Sequence, residues 1–215
     1  MKPDPTASIQ EKIKNGEPIL LIEYGPSKEF DEELVQILDM LTSHYKISDF
    51  SSILFTIIKD LILNGFKANF KRLFFQENRL DIRSSADYEL GVRMYKSFIL
   101  SGKSHIYERL ARDQNLFVKT KISHNQDEIL VTIVNNSKLV KGEMQKIKNS
   151  LLYAQNYNDI MEYYIERGDN SEGEGIGIAL CVILLKGESL PIENFKIFSS
   201  ESETIAEVKI PLKKN

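Results

Sequence analysis

The segment IIKDLILNGFKAN spaces a carboxylate, an amide and an ammonium, Asp60, Asn64 and Lys67, four and three residues apart. On an α-helix this spacing stacks the three side chains on one face, while Ile57, Ile58, Leu61, Ile62 and Phe66 cover the rest of the circumference. Such a stripe offers proton transfer at the carboxylate, coordination or hydrogen bonding at the amide oxygen, and pairing with an anion at the ammonium. It also suits a helix that merely turns one polar side to solvent. Two further segments carry groups of related kinds. VTIVNNS ends an apolar run with Asn135, and GEGIGIALC opens another with Gly173, Gly175 and Gly177. Glycines before a helix let backbone N–H groups approach an anion at the positive end of the helix dipole.

The elements that must position these groups are legible in the periodicity. PILLIEY suits a buried strand, and Leu34, Ile37, Leu38 and Leu41 give the next segment helical spacing. SDFSS offers capping residues for the long helix that runs on through FKANFKRLFF. DYELGVRMYKSFIL and SHIYERLARD, broken at SGK, predict a helical insertion over 70–114. An insertion of this kind presents a partner surface through Tyr95 and Phe98, or packs these aromatics onto the domain. LFVKTKISHNQDEILVTIVNN predicts a hairpin with His124 in its turn, and NFKIFSS and IAEVKIPL predict a second hairpin across ESET. IGIALCVILLKG reads as a buried helix ended by Gly187. Together these predict one α+β domain over 1–215, a two-layer sandwich with helices on one face of a mixed β-sheet.

Composition narrows the function classes. A chain of 215 residues with 42% hydrophobic and 27% charged residues can bury one sizeable core. The net charge of -3 argues against holding nucleic acid by bulk electrostatics, so no nucleic-acid partner is expected. No apolar run approaches the roughly 20 residues that span a bilayer, and MKPDPTASIQ lacks an apolar signal core, so a cytoplasmic protein without a membrane span is expected. Cys181, without a disulfide or metal companion, reads as a small core hydrophobe. His44, at a helix end, and His105, in the insertion, suggest no catalytic pair with His124.

In their order, DLILNGFKAN, VTIVNNS and GEGIGIAL resemble the nucleotide-binding motifs of the GHKL superfamily, the ATP-binding domain shared by sensor histidine kinases, anti-sigma-factor kinases, gyrase and the large heat-shock chaperone ATPases. The resemblance runs from PILLIEY to KIPL, apart from the insertion, and implies the Bergerat-type ATP-binding fold. It also implies roles. Asn64 would hold Mg²⁺, Asp60 would act catalytically by ordering or deprotonating a water, and Lys67 would sit near phosphate oxygens. Gly173, Gly175 and Gly177 would cradle phosphates, and the segment 137–172 would form a lid whose Lys138, Lys141, Lys146 and Lys148 can approach them. Asn135 stands where the family has the Asp that reads adenine, and Ser137 and Leu139 replace two glycines. On the resemblance alone, Asn135→Asp restores a charge-assisted acceptor and tightens ATP. The implied function is a stand-alone histidine kinase-like protein in two-component signalling, binding Mg·ATP, a transferase acting on a separate protein partner. The alternative is a non-catalytic GHKL interaction module that has lost productive ATP use.

Overall fold

The computed structural model describes residues 5–100, 102, 105–167 and 176–212. Helix α1 (Pro5–Asn15) leads into strand β1 (Ile19–Glu23), followed by α2 (Lys28–His44), α3 (Ser51–Glu77), α4 (Ser85–Leu100) and α5 (His105–Asp113). Strands β2 (Val118–His124) and β3 (Glu128–Asn135) come next, then α6 (Lys141–Ala154), α7 (Ile160–Arg167) and α8 (Ile176–Gly187). Strands β4 (Phe195–Ser199) and β5 (Thr204–Pro211) close the chain. The segment 70–114 thus holds the last two turns of α3 together with α4 and α5, and the described part of 137–172 holds α6 and α7.

The five strands form one sheet in the order β1-β2-β3-β5-β4, and every neighbouring pair is antiparallel. The mixed sheet expected from the sequence is therefore replaced by a purely antiparallel one. The pairings give the reason. Glu23, the last residue of β1, pairs with Val118, the first of β2, so the intervening helices return the chain to the end it left. Strand β4 does run in the direction of β3, but β5 lies between them.

Helix α3 is buried around most of its girth because apolar residues occupy several of its faces. Ile57, Ile58, Leu61, Ile62, Phe66, Phe70 and Phe74 all join the single core, which is the pattern of a helix enclosed by other elements rather than laid on a surface. Helix α2, capped by Ser27, whose hydroxyl accepts the Phe30 N–H at 3.0 Å, packs along one side through Leu34, Ile37, Leu38 and Leu41. The insertion packs through aromatics. Phe74 meets the rings of Tyr95 at 5.6 Å and Phe98 at 5.8 Å, and the Tyr95 hydroxyl donates to the Lys67 carbonyl at 3.2 Å. Tyr95 and Phe98 therefore fasten the insertion to α3, the second of the two roles the sequence allows them.

His124 ends β2 rather than sitting in the turn, and it is buried. Its Nε2 lies 3.1 Å from the Glu17 carbonyl and its Nδ1 2.8 Å from the Tyr45 hydroxyl. The neutral ring satisfies both contacts, with Nε2–H donating to Glu17 and Nδ1 accepting from Tyr45. Burial pushes its pKa below the ordinary 6.5, the Glu17 carbonyl opposes this, and neighbouring His44 adds to it. The unfolded chain then binds more protons than the folded one below about pH 6.5. Stability is full above that pH and falls as the solution is acidified towards the folded-state pKa, by at most about 1.4 kcal/mol per pH unit for one group. Urea denaturation between pH 7.5 and pH 5.5 should show this loss, and His124→Gln should flatten it. An equal loss in both proteins would assign the effect to other groups.

Candidate functional site

The polar stripe of α3 lies where the helix passes between the sheet and helices α6 and α8. Asn64 Nδ2 donates to Asp60 Oδ2 at 3.2 Å, one turn back along the helix. The Asn64 carbonyl oxygen accepts nothing from the described residues. Burial pushes the Asp60 carboxyl above its ordinary range, while Lys67 and the Asn64 amide pull the other way. A carboxylate raised in this manner is a better proton acceptor than a solvated one. The second residue of α8, Gly177, packs directly on it: a Cβ there would stand 1.7 Å from Asp60 Oδ2. A side chain at position 177 would therefore displace the Asp60 carboxylate from where it stands. Gly173 and Gly175, the other two glycines of the motif, lie outside the described residues.

Gly65 has a different reason. A Cβ at this position would meet Val118 Cγ2 at 2.8 Å and Asn135 Cβ at 3.5 Å. Its small size lets α3 settle onto β2 and β3, so the close approach is made by the sheet. This contact draws Asn135, at the end of β3, up against the stripe.

Asn135 is buried in a ring of polar side chains. Its Nδ2 donates to Ser137 Oγ at 2.7 Å and to Asn69 Oδ1 at 3.3 Å, and Ser137 Oγ donates to the same Asn69 oxygen at 2.9 Å. Asn69 is fixed in turn, because its Nδ2 donates to the Phe117 carbonyl at 3.2 Å. Both donors of this amide pair are committed within the protein, and the Asn135 carbonyl oxygen accepts nothing from the described residues.

Asn64, Lys67 and Asn135 share one cavity of about 130 Å³ between α3, α6, α8 and the sheet. Its walls are apolar, from Leu61, Ile133, Ile147, Ile178 and Ile197, and Lys71, Lys146 and Glu143 add charge. Asp60 and Gly177 are not part of this lining and meet one turn of α3 away. Of the four lid lysines, Lys146 reaches the cavity, whereas Lys138, Lys141 and Lys148 are exposed elsewhere. Lys71 was detectable in principle, since it continues the α3 stripe four residues beyond Lys67.

Helix α6 is held over the cavity by a buried ion cluster. Glu143 accepts from Arg72 at 2.8 Å and from Lys71 at 3.3 Å, and its carboxylate also accepts the Val140 N–H at 3.1 Å. The side chains of Lys71 and Glu143 are only 3% and 7% exposed. Burial alone would raise the Glu143 pKa, but Arg72 and Lys71 outweigh it and hold the carboxyl below the usual range. Arg72 also donates to the Ala68 carbonyl at 2.7 Å and to that of Lys138, which ties the chain leaving β3 to α3.

Over 210 residues, 96% of its length, the chain is 28% identical to an uncharacterized protein of Treponema pallidum (strain Nichols). The chain spans 40% of that relative's length. No family model matches it, and no solved structure does so. Among the described residues, no helix is long and apolar enough to cross a membrane.

Proposed function

We propose that this chain binds Mg·ATP between α3, α6 and the sheet, and works as a cytoplasmic, histidine kinase-like signalling protein through a separate protein partner that supplies the phosphoacceptor. The observation that supports this reading is convergence. Asn64, Asn135 and Ile178 come from segments far apart in the chain, each singled out by the resemblance, and they line one cavity with apolar walls and lysines. An open carbonyl oxygen on Asn135 suits the amino donor of adenine, and the apolar walls suit its faces. At about 130 Å³ the cavity is smaller than the roughly 300–1,000 Å³ of typical small-molecule sites. It accepts the base and leaves the phosphates to extend towards exposed Lys67 and the start of α8.

The residues present fit magnesium in the manner expected of a nucleotide site. Asn64 offers one oxygen, with the remaining ligands left to water and phosphate. Magnesium held at Asn64 would supply charge neutralisation for phosphate, and Asp60, held by the Asn64 amide, would orient a water or accept its proton. The expected result for Asn64→Ala is an affinity for ATP about tenfold lower in the presence of Mg²⁺, close to 1.4 kcal/mol, with little change when the metal is chelated. Calorimetric titration in magnesium and in EDTA measures both. A loss of equal size under the two conditions would show that Asn64 does not act through the metal.

One observation favours the interaction-module reading. Glu143 brings a carboxylate to the cavity beside Lys71, where a phosphate would otherwise pair, and this favours a closed cavity. A chain that binds no nucleotide and still engages a protein would be explained in this way.

A further inference from the structure

The sheet has two faces, and the residues paired across the strands sort onto them. One face carries Val118, Asn135 and Thr204 in a single cross-strand row and turns towards α3. The opposite face carries the row Ile22, Lys119, Val134, Ile205 and Phe198, which crosses all five strands. Next to it runs the row Leu20, Lys121, Thr132, Glu207 and Lys196. Leu20, Ile22 and Phe198 are 52%, 46% and 42% exposed on this second face. An antiparallel sheet can leave one face to solvent, but that face is then usually polar at alternate positions. Here the first row is apolar at four of its five strands.

Charge distinguishes the occupants such a face can take. Lys119 and Lys121 lie side by side on β2, and neither makes an ion pair with a described residue. Glu207 stands opposite Lys196, and Glu128 pairs with Lys209 at 2.6 Å, so the carboxylates on this face already have lysine neighbours. The surplus charge is positive and sits next to the apolar row. A second copy of the same face would bring lysines against lysines. A single-stranded nucleic acid would need several aromatic rings to stack on, and Phe198 is the one aromatic side chain of the two rows.

We propose that the face of the sheet opposite α3 is a docking surface for an acidic amphipathic helix of a partner protein, whose apolar stripe covers Ile22, Ile205 and Phe198 and whose flanking carboxylates pair with Lys119 and Lys121. The contact is independent of what the cavity binds, since the two lie on opposite faces of the sheet. It completes a second layer over a sheet that the described residues cover on one side, in the helix-on-surface mode of peptide recognition.

The test uses the full chain and two labelled peptides of about 18 residues, each an amphipathic helix with a leucine stripe, one flanked by Glu and the other by Lys. Fluorescence anisotropy should give the Glu peptide at least a tenfold lower Kd than the Lys peptide. Ile22→Asp, Phe198→Asp and the pair Lys119→Glu with Lys121→Glu should each weaken it tenfold or more, and urea midpoints should confirm that the exposed substitutions leave the fold intact. Equal binding of both peptides, or binding unaffected by these substitutions, overturns the proposal. So does absence of binding at about 1 mM peptide. Stronger capture by phosphatidylserine vesicles or by an oligouridine strand would assign the face to a lipid surface or to nucleic acid, and a dimer dissociated by Phe198→Asp would assign it to a second copy. Any of these three results rejects the acidic helix.

Discussion

Glu143→Ala should lower the unfolding free energy by about 3–5 kcal/mol, the usual cost of removing one partner from a buried ion pair. The substitution leaves the Lys71 ammonium, with its side chain 3% exposed, without the carboxylate that compensates its burial. Arg72 loses its contact at 2.8 Å but is less enclosed and retains the carbonyls of Ala68 and Lys138. Replacing both buried partners, with Lys71→Met and Glu143→Leu, should recover much of the stability, since apolar side chains of similar volume need no compensating charge. The depressed Glu143 pKa adds a pH signature. Its contribution is present above the ordinary value of 4.5 and is lost as the pH falls through the lower folded-state value. Urea denaturation of the three proteins measures these differences. A loss below about 1 kcal/mol in the single variant would place the pair at the solvated surface, where ion pairs contribute little.

Asn135→Asp should destabilise the chain by about 1–3 kcal/mol, the cost of an unsatisfied buried polar group, and should not tighten ATP. The resemblance alone predicts the opposite for ATP. The difference arises because the amide at position 135 is used as a donor. Its Nδ2 serves both Ser137 and Asn69, and an Asp would turn an oxygen towards the Asn69 oxygen 3.3 Å away. Ser137 could give its proton to the new carboxylate only by withdrawing it from Asn69. Asn69 cannot simply turn over, since its own Nδ2 is held by the Phe117 carbonyl. Denaturation and calorimetry on the same variant separate the two effects. Unchanged stability together with tighter ATP would mean that the polar ring is not formed as described and that the carboxylate reads the base.

Both hairpins and the burial of α3 are readable in the sequence because alternation and helical spacing are local properties. Val118, Thr120 and Ile122 alternate with lysines, and they are the buried side of β2. The relative direction of β1 and β2 is not local. It depends on which end of the sheet the chain regains after four helices, and no spacing encodes that. The place of His124 is not local either, since its ring is held by Tyr45 and Glu17, distant in the chain. In the site, Asp60, Asn64 and Lys67 were legible as a stripe, and Lys71 belongs to the same stripe. Glu143 and the burial of Lys71 are not legible, because lysine and glutamate are normally exposed and the pairing that buries them joins residues on two helices. The ring of Asn69, Asn135 and Ser137 is likewise made by chain folding, with Asn69 and Asn135 far apart in sequence.

The most direct test of the nucleotide reading is a calorimetric titration of Mg·ATP into the wild-type chain. Saturable one-site binding, weakened when magnesium is chelated, is the expected result. No binding up to about 1 mM ATP with magnesium present would contradict a nucleotide site at Asn64 and Asn135.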